Sequence, residues 1–336
     1  MTYLEAMSSA VEGWWGHIGA MVISKKVRFG HKKKIGNHRT SGVECASAAL
    51  WVVVNKPVGL MGFQGGYVLP LLHIAVLAGI QGITEFLPIS SSAHLVLVPV
   101  FTGWADQGLL FDVAVHVGTL GAVLLYFWRD VWAMLAGTTH LLRGRRDAGA
   151  RLASNVIIAT IPVIGAGYLF NEYYPGGLRG IEIIGWATLG FGILLYIADK
   201  IAMTVRRIEH LGIADALVIG IAQSFALIPG ASRSGVTMTA ARFLGMERTD
   251  AARFSMLLSI PAILGAGTLK GIELAQTGTP EFNMAILSAV GLSFAFALVA
   301  IALMMAWLKR AGFGPFVLYR VILGVFLLAV AYGYVG

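Results

Sequence analysis

Glu85-Phe-Leu-Pro-Ile-Ser-Ser-Ser-Ala-His94 is the stretch on which the reading of this chain turns. An apolar, helix-like run reaches Pro88, breaks into three serines, and then resumes. The same device returns at Leu227-Ile-Pro-Gly-Ala-Ser-Arg-Ser-Gly235. Setting Pro88 against Pro229 also matches Ala75 with Ala216, Gly79 with Gly220, Ile80 with Ile221 and Ser91 with Ser232, so the two stretches read as internal copies. Together they place Glu85, Ser91, His94, Ser232 and Arg233 in apolar surroundings. An ionised side chain at the bilayer centre costs about 2.5 to 3.5 kcal/mol even on a lenient insertion scale. Such residues are kept there for a reaction or a passage.

The surroundings are those of a membrane. Hydrophobic residues make up 57% of the chain and charged residues 12%, against roughly 25% charged in a soluble domain, and the mean hydropathy is +0.77. The fold class expected is an all-α polytopic membrane protein. The single cysteine, Cys45, excludes an intramolecular disulfide framework or a thiolate metal cluster. The net charge of +8 is carried between the apolar runs, where the positive-inside bias and anionic headgroups account for it, so nucleic acid is set aside.

Six apolar runs are long enough to cross about 30 Å of hydrocarbon: 112 to 133, 154 to 171, 180 to 198, 253 to 272, 284 to 307 and 316 to 335. Basic residues gather in alternate connections: Arg129, Arg143, Arg145, Arg146 and Arg151, then Lys200, Arg206 and Arg207, then Lys309 and Arg310. These read as cytoplasmic. The others carry mainly Glu172 with Arg179, or Glu273 with Glu281, and read as outside. The two remaining regions, 70 to 102 and 213 to 246, hold the breaks and are predicted to be re-entrant pairs of half-helices, which a bilayer tolerates only where protein or a cavity covers the broken backbone. Arg207 and Arg248 put both ends of the second pair inside, whereas the first precedes a span that ends inside at Arg129 and so enters from outside. The expectation is six transmembrane helices plus two re-entrant pairs in an inverted-topology repeat, with a shared anion site at the repeat interface. Two proline-kinked full spans are the alternative.

Residues 1 to 67 depart from this pattern. A basic run (Lys25, Lys26, Arg28, Lys32, Lys33, Lys34) precedes a short apolar stretch, Val43 to Val54, without the compact order of a signal peptide. This part is expected to be a poorly ordered extension with Met61 as a candidate start, and 68 to 336 the membrane domain.

A half-helix starting after Pro88 would use one of Ser90, Ser91 and Ser92 as N-cap and turn free backbone N–H groups to the cavity, an end that suits phosphate. Ser91 and His94 share a helix face, so the imidazole is positioned to take the serine proton or to protonate a leaving oxygen. Glu85, with Gln81 one turn upstream, can hold a divalent cation, act as a base, or sit neutral and hydrogen-bonded in the core. In the second break Gly230 and Gly235 admit close approach of a ligand, Ser232, Ser234 and Thr237 offer hydroxyls, and Arg233 offers a fork matched to phosphate oxygens. Arg233 could equally pair with Glu85 in the core. His73, Asp112 and His116 read as satisfied polar groups rather than ligands, and the glycines from Gly185 to Gly192 as surfaces for close helix packing.

The stretches Gln81-Gly-Ile-Thr-Glu-Phe-Leu-Pro-Ile-Ser-Ser-Ser-Ala-His94 and Pro229-Gly-Ala-Ser-Arg-Ser-Gly-Val-Thr237 resemble the two signature motifs of the bacterial undecaprenyl-diphosphate phosphatases of the bacitracin-resistance type. The likeness runs from about residue 70 to the C-terminus and includes Tyr319-Arg320. It implies removal of the terminal phosphate from a C55 polyprenyl diphosphate in the bacterial inner membrane, at a site opening to the periplasm. It also implies Glu85, Ser91, His94, Ser232, Arg233 and Thr237 as the functional set, a divalent cation, Mg2+ or Ca2+, and room for a homodimer. The family commonly has glutamate where this chain has Gln81, and the first 67 residues are unlike it. The rival expectation is a transporter or flippase of a phosphate-bearing lipid or small anion using the same midplane site.

Overall fold

The computed structural model describes residues 71–104, 109–145, 147–174, 178, 180–277 and 284–334. The expected extension 1 to 67 and Met61 lie outside the described residues. Among those described, every regular element is helical, apart from an isolated bridge between Arg206 and Met246. The helices are α1 (Leu71–Thr84), α2 (Ser91–Thr102), α3 (Leu109–Tyr126), α4 (Trp128–Leu142), α5 (Ala148–Tyr173), α6 (Ile181–Ile201), α7 (Ile213–Gln223), α8 (Arg233–Phe243), α9 (Arg248–Thr277), α10 (Met284–Leu308) and α11 (Gly314–Ala331). By length and composition α5, α6, α10 and α11 can each cross a membrane, and α3 with α4 forms a further apolar pair bent by 85°.

Both broken regions fold as the sequence predicts, into short helices that meet at the break. Proline has no N–H and its ring strikes the carbonyl four residues back, and α1 ends at Thr84, four before Pro88. In the second region α7 ends at Gln223, and a 3-10 turn over Ser224–Leu227 carries the chain to Pro229. With 14 and 12 residues, α1 and α2 reach only about 21 and 18 Å at 1.5 Å per residue. Each pair returns to its own starting level. At the second, Arg206 N–H donates to the Gly245 carbonyl at 3.0 Å and Glu247 N–H to the Arg206 carbonyl at 2.8 Å. At the first, the ring of His73 stacks on that of Trp104 at 3.6 Å.

The register between the copies is corrected by one residue. Ser90 (φ 73°) and Ser232 (φ 68°) are the two non-glycine residues with positive φ among those described, and each directly precedes a helix, α2 and α8. Ser90 therefore corresponds to Ser232 and Ser91 to Arg233. Gly230-Ala231 occupies the place of the single Ile89, and Gly230 takes up the extra residue at φ +92°, where a Cβ would lie 2.5 Å from the Ile184 carbonyl oxygen.

The packing repeats with the sequence. α1 packs on α10 while its copy α7 packs on α5; α3 packs on α9, and α6 on α11. Each half thus lays its first short helix on a long helix of the other half. Small residues make the approach close: a Cβ on Gly82 would lie 2.7 Å from the Ser293 carbonyl oxygen, one on Gly220 2.5 Å from that of Ala159, and one on Gly185 3.0 Å from Leu328. The central core is apolar, with Phe86, Leu195, Met238, Phe254, Met256 and Leu257 buried.

The span predicted at 112 to 133 ends early. The chain turns at Phe127 (φ −101°, ψ 29°), where the sequence stops being uniformly apolar: α4 begins Trp-Arg-Asp and leaves Trp128 and Trp132 exposed. Aromatic rings beside charges are the composition of a membrane–water boundary. Asp130 of α4 is held by Arg253 of α9, whose Nε donates to Oδ2 at 2.9 Å and Nη2 to Oδ1.

Candidate active site

Where the two breaks meet, the protein forms a partly open cavity of about 120 Å3. Gln81 and Glu85 at the end of α1, Ser90, Ser91 and Ser92 at the start of α2, and Pro229, Ser232 and Arg233 of the second break contribute its polar wall. Asp112 and His116 of α3 complete it, and Val163 and Ile263, each next to or near an in-helix proline (Pro162, Pro261), line the apolar side. The breaks are tied together reciprocally: Gly230 N–H points at Ser92 Oγ at 3.4 Å, and Ser234 Oγ donates to the Leu87 carbonyl at 2.9 Å.

Glu85 is the hub. Arg233 Nη2 donates to Oε1 at 2.7 Å, while Ser91 Oγ at 3.0 Å and Gln81 Nε2 at 2.9 Å donate to Oε2. The ion pair is largely buried, with the two side chains 13% and 9% exposed, so its attraction is not screened away as on a surface. The same Gln81 amide donates to His116 Nε2 at 2.9 Å, and His116 Nδ1 donates to the Asp112 carbonyl at 2.7 Å. Those bonds fix His116 as the Nδ1–H tautomer, with its Nε2 accepting from Gln81 and lying 3.9 Å from Glu85 Oε2.

The expected pairing of Ser91 with His94 is not what forms. The His94 ring reaches back, so that Nδ1 donates to the Ser90 carbonyl at 2.7 Å, and the Tyr319 hydroxyl donates to Nε2 at 2.5 Å with the rings stacked. His94 is not in the cavity wall, and the acceptor for the Ser91 hydroxyl is Glu85. Ser232 lines the cavity and caps α8, its Oγ accepting from Gly235 N–H at 3.2 Å. Gly230, Ser234 and Thr237 lie behind the wall: Thr237 Oγ1 bonds Ser255 Oγ at 2.6 Å and the Arg233 carbonyl at 2.9 Å.

Three residues that sequence reasoning passed over belong to the site or its frame. His116 and Asp112 face the cavity, and their i,i+4 spacing on an otherwise apolar helix was the available signal. Arg320, fully buried on α11, has only carbonyl partners among the described residues: Thr188 at 3.0 Å, Gly230 at 2.9 Å, Ala231 at 3.0 Å and, more distantly, Pro88 and Ala187 at 3.4 Å. It pins both breaks from behind. No spacing rule predicts a cation whose partners are carbonyls distant in sequence.

The donor set fits a small hard cation. Gln81 is 0% exposed, and its Oε1 has no hydrogen-bond partner among the described residues; an orphaned buried acceptor beside a carboxylate suits a metal. Among the described residues no three His, Cys, Asp or Glu side chains converge. The protein therefore offers few ligands, as magnesium prefers when water and phosphate oxygens supply the rest, and fewer than the six to eight oxygens of calcium.

The family model described as bacitracin resistance protein BacA matches residues 74–326. Undecaprenyl-diphosphatase 1 of Rhodospirillum rubrum is 56% identical over 270 residues, covering 78% of this chain and 95% of that protein. The undecaprenyl-diphosphatases of Jannaschia sp. (strain CCS1) and Hahella chejuensis are 53% and 51% identical, over 78% of this chain and 99% and 98% of theirs.

Proposed function

This chain belongs to the bacitracin resistance protein BacA family, and we infer from that membership and from the site that it is an undecaprenyl-diphosphatase. It hydrolyses undecaprenyl diphosphate to undecaprenyl phosphate and inorganic phosphate in a membrane, the activity for which its relatives are named. That reaction recycles the lipid carrier for cell-wall synthesis. The observation that carries the site assignment is the Glu85 hub: one carboxylate oxygen holds Arg233 of the second break, the other accepts the Ser91 hydroxyl of the first.

The geometry lends itself to in-line displacement at the terminal phosphorus. Phosphoryl transfer asks mainly for positioning and charge neutralisation. Among the described residues Arg233 spends one of its five N–H donors on Glu85, and the others can serve the diphosphate. The starts of α2 (Ser90, Ser91, Ser92) and α8 (Ser232, Arg233) both line the cavity, so two helix N-termini border the anion site. Ser91 attacks while Glu85 takes its proton; the Oγ–P bond forms, the bridging P–O bond breaks, and undecaprenyl phosphate leaves. Water then hydrolyses the phosphoserine. His94, with both ring nitrogens bonded to Ser90 and Tyr319, lies outside the cavity wall and steadies the start of α2. A divalent cation held by Glu85 and Gln81 would supply further charge neutralisation.

The two hairpins support a membrane arrangement of six spans plus two re-entrant pairs entering from opposite faces of the bacterial inner membrane, with the cavity opening to the periplasm. The test is phosphate release from undecaprenyl diphosphate by purified protein in detergent. Removing one transition-state donor typically costs about 100- to 1,000-fold, so Ser91→Ala and Arg233→Ala should each fall at least that far, and a chelator should lower the wild-type rate. Unchanged rates in both variants would remove this cavity from the reaction. Movement of the lipid between leaflets without phosphate release would select the flippase.

A further inference from the structure

We propose that His116 is a direct ligand of the divalent cation in this site, so that the metal is held by Glu85, Gln81 and an imidazole nitrogen rather than by a pair of acids. The inference rests on the catalytic reading above and adds a donor to it. Three atoms come together at the cavity wall. The Gln81 amide nitrogen stands 2.9 Å from Glu85 Oε2 and 2.9 Å from His116 Nε2, and those two are 3.9 Å apart. A circle through these three positions has a radius of about 2 Å, close to the roughly 2.0 to 2.1 Å ligand distances of a small divalent cation. Turning the Gln81 amide over exchanges its nitrogen and oxygen, bringing Oε1, the buried acceptor without a partner among the described residues, to the position that completes the set.

The second shell is already in place for that role. A metal-bound imidazole is normally oriented by a hydrogen bond from its other nitrogen, and His116 Nδ1 donates to the Asp112 carbonyl at 2.7 Å. Nε2 is thereby kept as an acceptor, bonded to the Gln81 amide and 3.9 Å from the carboxylate. Glu85 keeps its position, because Arg233 occupies Oε1, while Oε2, on the His116 side, retains the Ser91 hydroxyl as a donor once the Gln81 amide turns. An imidazole also biases the choice of ion, since nitrogen suits the later transition metals better than it suits magnesium or calcium.

The experiment loads the purified full-length protein in detergent with Mn2+ alone and records pulsed electron paramagnetic resonance, in which a directly bound imidazole nitrogen gives 14N modulation. Wild type should show the modulation, His94→Gln should keep it, and His116→Gln should lose it while binding Mn2+ at least tenfold more weakly. Adding Gln81→Glu to His116→Gln should restore much of the affinity without restoring the nitrogen signal, which also shows that the His116 variant is folded. Mn2+ bound to wild type without 14N modulation, or modulation surviving in His116→Gln, would overturn the proposal. Phosphate release from undecaprenyl diphosphate, measured on the same wild-type sample, separates the two readings: release without a nitrogen signal sinks only the His116 ligand, whereas absence of release sinks the catalytic assignment.

Discussion

Ser232 shows at the level of one residue how this site trades stability for geometry. Its φ of 68° is a left-handed conformation that a Cβ disfavours by about 1 to 2 kcal/mol. In return its Oγ caps α8 by accepting from Gly235 N–H, worth about 1 kcal/mol. Ser232→Ala keeps the strain and loses the cap, whereas Ser232→Gly loses the cap and relieves the strain. The alanine variant should therefore be less stable than the glycine variant by about 1 to 2 kcal/mol in thermal or denaturant unfolding, and equal stabilities would refute the backbone argument. The Glu85–Arg233 pair carries a larger effect. Deleting one partner of a buried pair strands the other and costs about 3 to 5 kcal/mol, so Arg233→Ala should be less stable than Arg233→Ala combined with Glu85→Gln, although neither should hydrolyse the substrate. Arg320 differs again, because its partners are carbonyls of both breaks. Lysine keeps the charge but lacks the planar fork; Arg320→Lys should lower both the thermal midpoint and the turnover rate, as measured on one detergent preparation.

At the level of elements, the contrast lies between glycines that touch and glycines that do not. On α1, Gly82 leaves no room for a Cβ against Ser293 and Phe296 of α10; on α7, Gly220 leaves none against Ala159 of α5; but Gly291 of α10 meets nothing within 4 Å. Gly82→Ala and Gly220→Ala should each destabilise by about 1 to 3 kcal/mol through overpacking. Gly291→Ala should instead gain up to about 1 kcal/mol of helix propensity. If all three behave alike under thermal unfolding, the reciprocal packing of the halves is wrong. These contacts also mark how far the sequence could be read. Proline, serine and glycine act on their own backbone, so the breaks, the half-helices and the hairpin pairs were visible in order. The one-residue offset of the second break was not, because aligning Pro88 with Pro229 cannot reveal that Gly230 takes up an extra residue with positive φ. His94 misled for a similar reason: i,i+3 spacing places Ser91 and His94 on one face, but the ring bonds the carbonyl four residues back and the hydroxyl of Tyr319 from α11. The bend at Phe127 was hidden because α4 continues the apolar run of α3 with only Arg129 and Asp130 to mark the boundary.

Over the whole molecule, the charge asymmetry of the loops and the closure of the two hairpins make one joint statement about sidedness, and that statement is open to test. Hydrogen bonds from 206 and 247 to 245 and 206 put both ends of the second pair at one level, and the stacking of His73 on Trp104 does the same for the first. The connection at 143–147 carries arginines, as do the turns near 206 and 310, so under the positive-inside bias the proposed arrangement has all of these in the cytoplasm. The first hairpin precedes α3, whose far end leads to the arginine-bearing connection, so in the same proposed arrangement it opens on the opposite side from the second. Because Cys45 is the sole cysteine, Cys45→Ser gives a clean background for single cysteines. Substitutions at Gly103 and Tyr174 should react with a membrane-impermeant thiol reagent added to intact cells, while those at Arg145, Arg207 and Arg310 should react only after the membrane is opened. Kinked full spans would instead separate the two ends of each hairpin, so labels at Leu71 and Gly103 would fall on opposite sides, as would labels at Gly212 and Gly245. Same-side labelling within each pair, with opposite sides between the pairs, is the pattern an inverted repeat requires; one hairpin labelled on the wrong face would leave the two anion-binding helix starts without a common bilayer entrance for a lipid substrate.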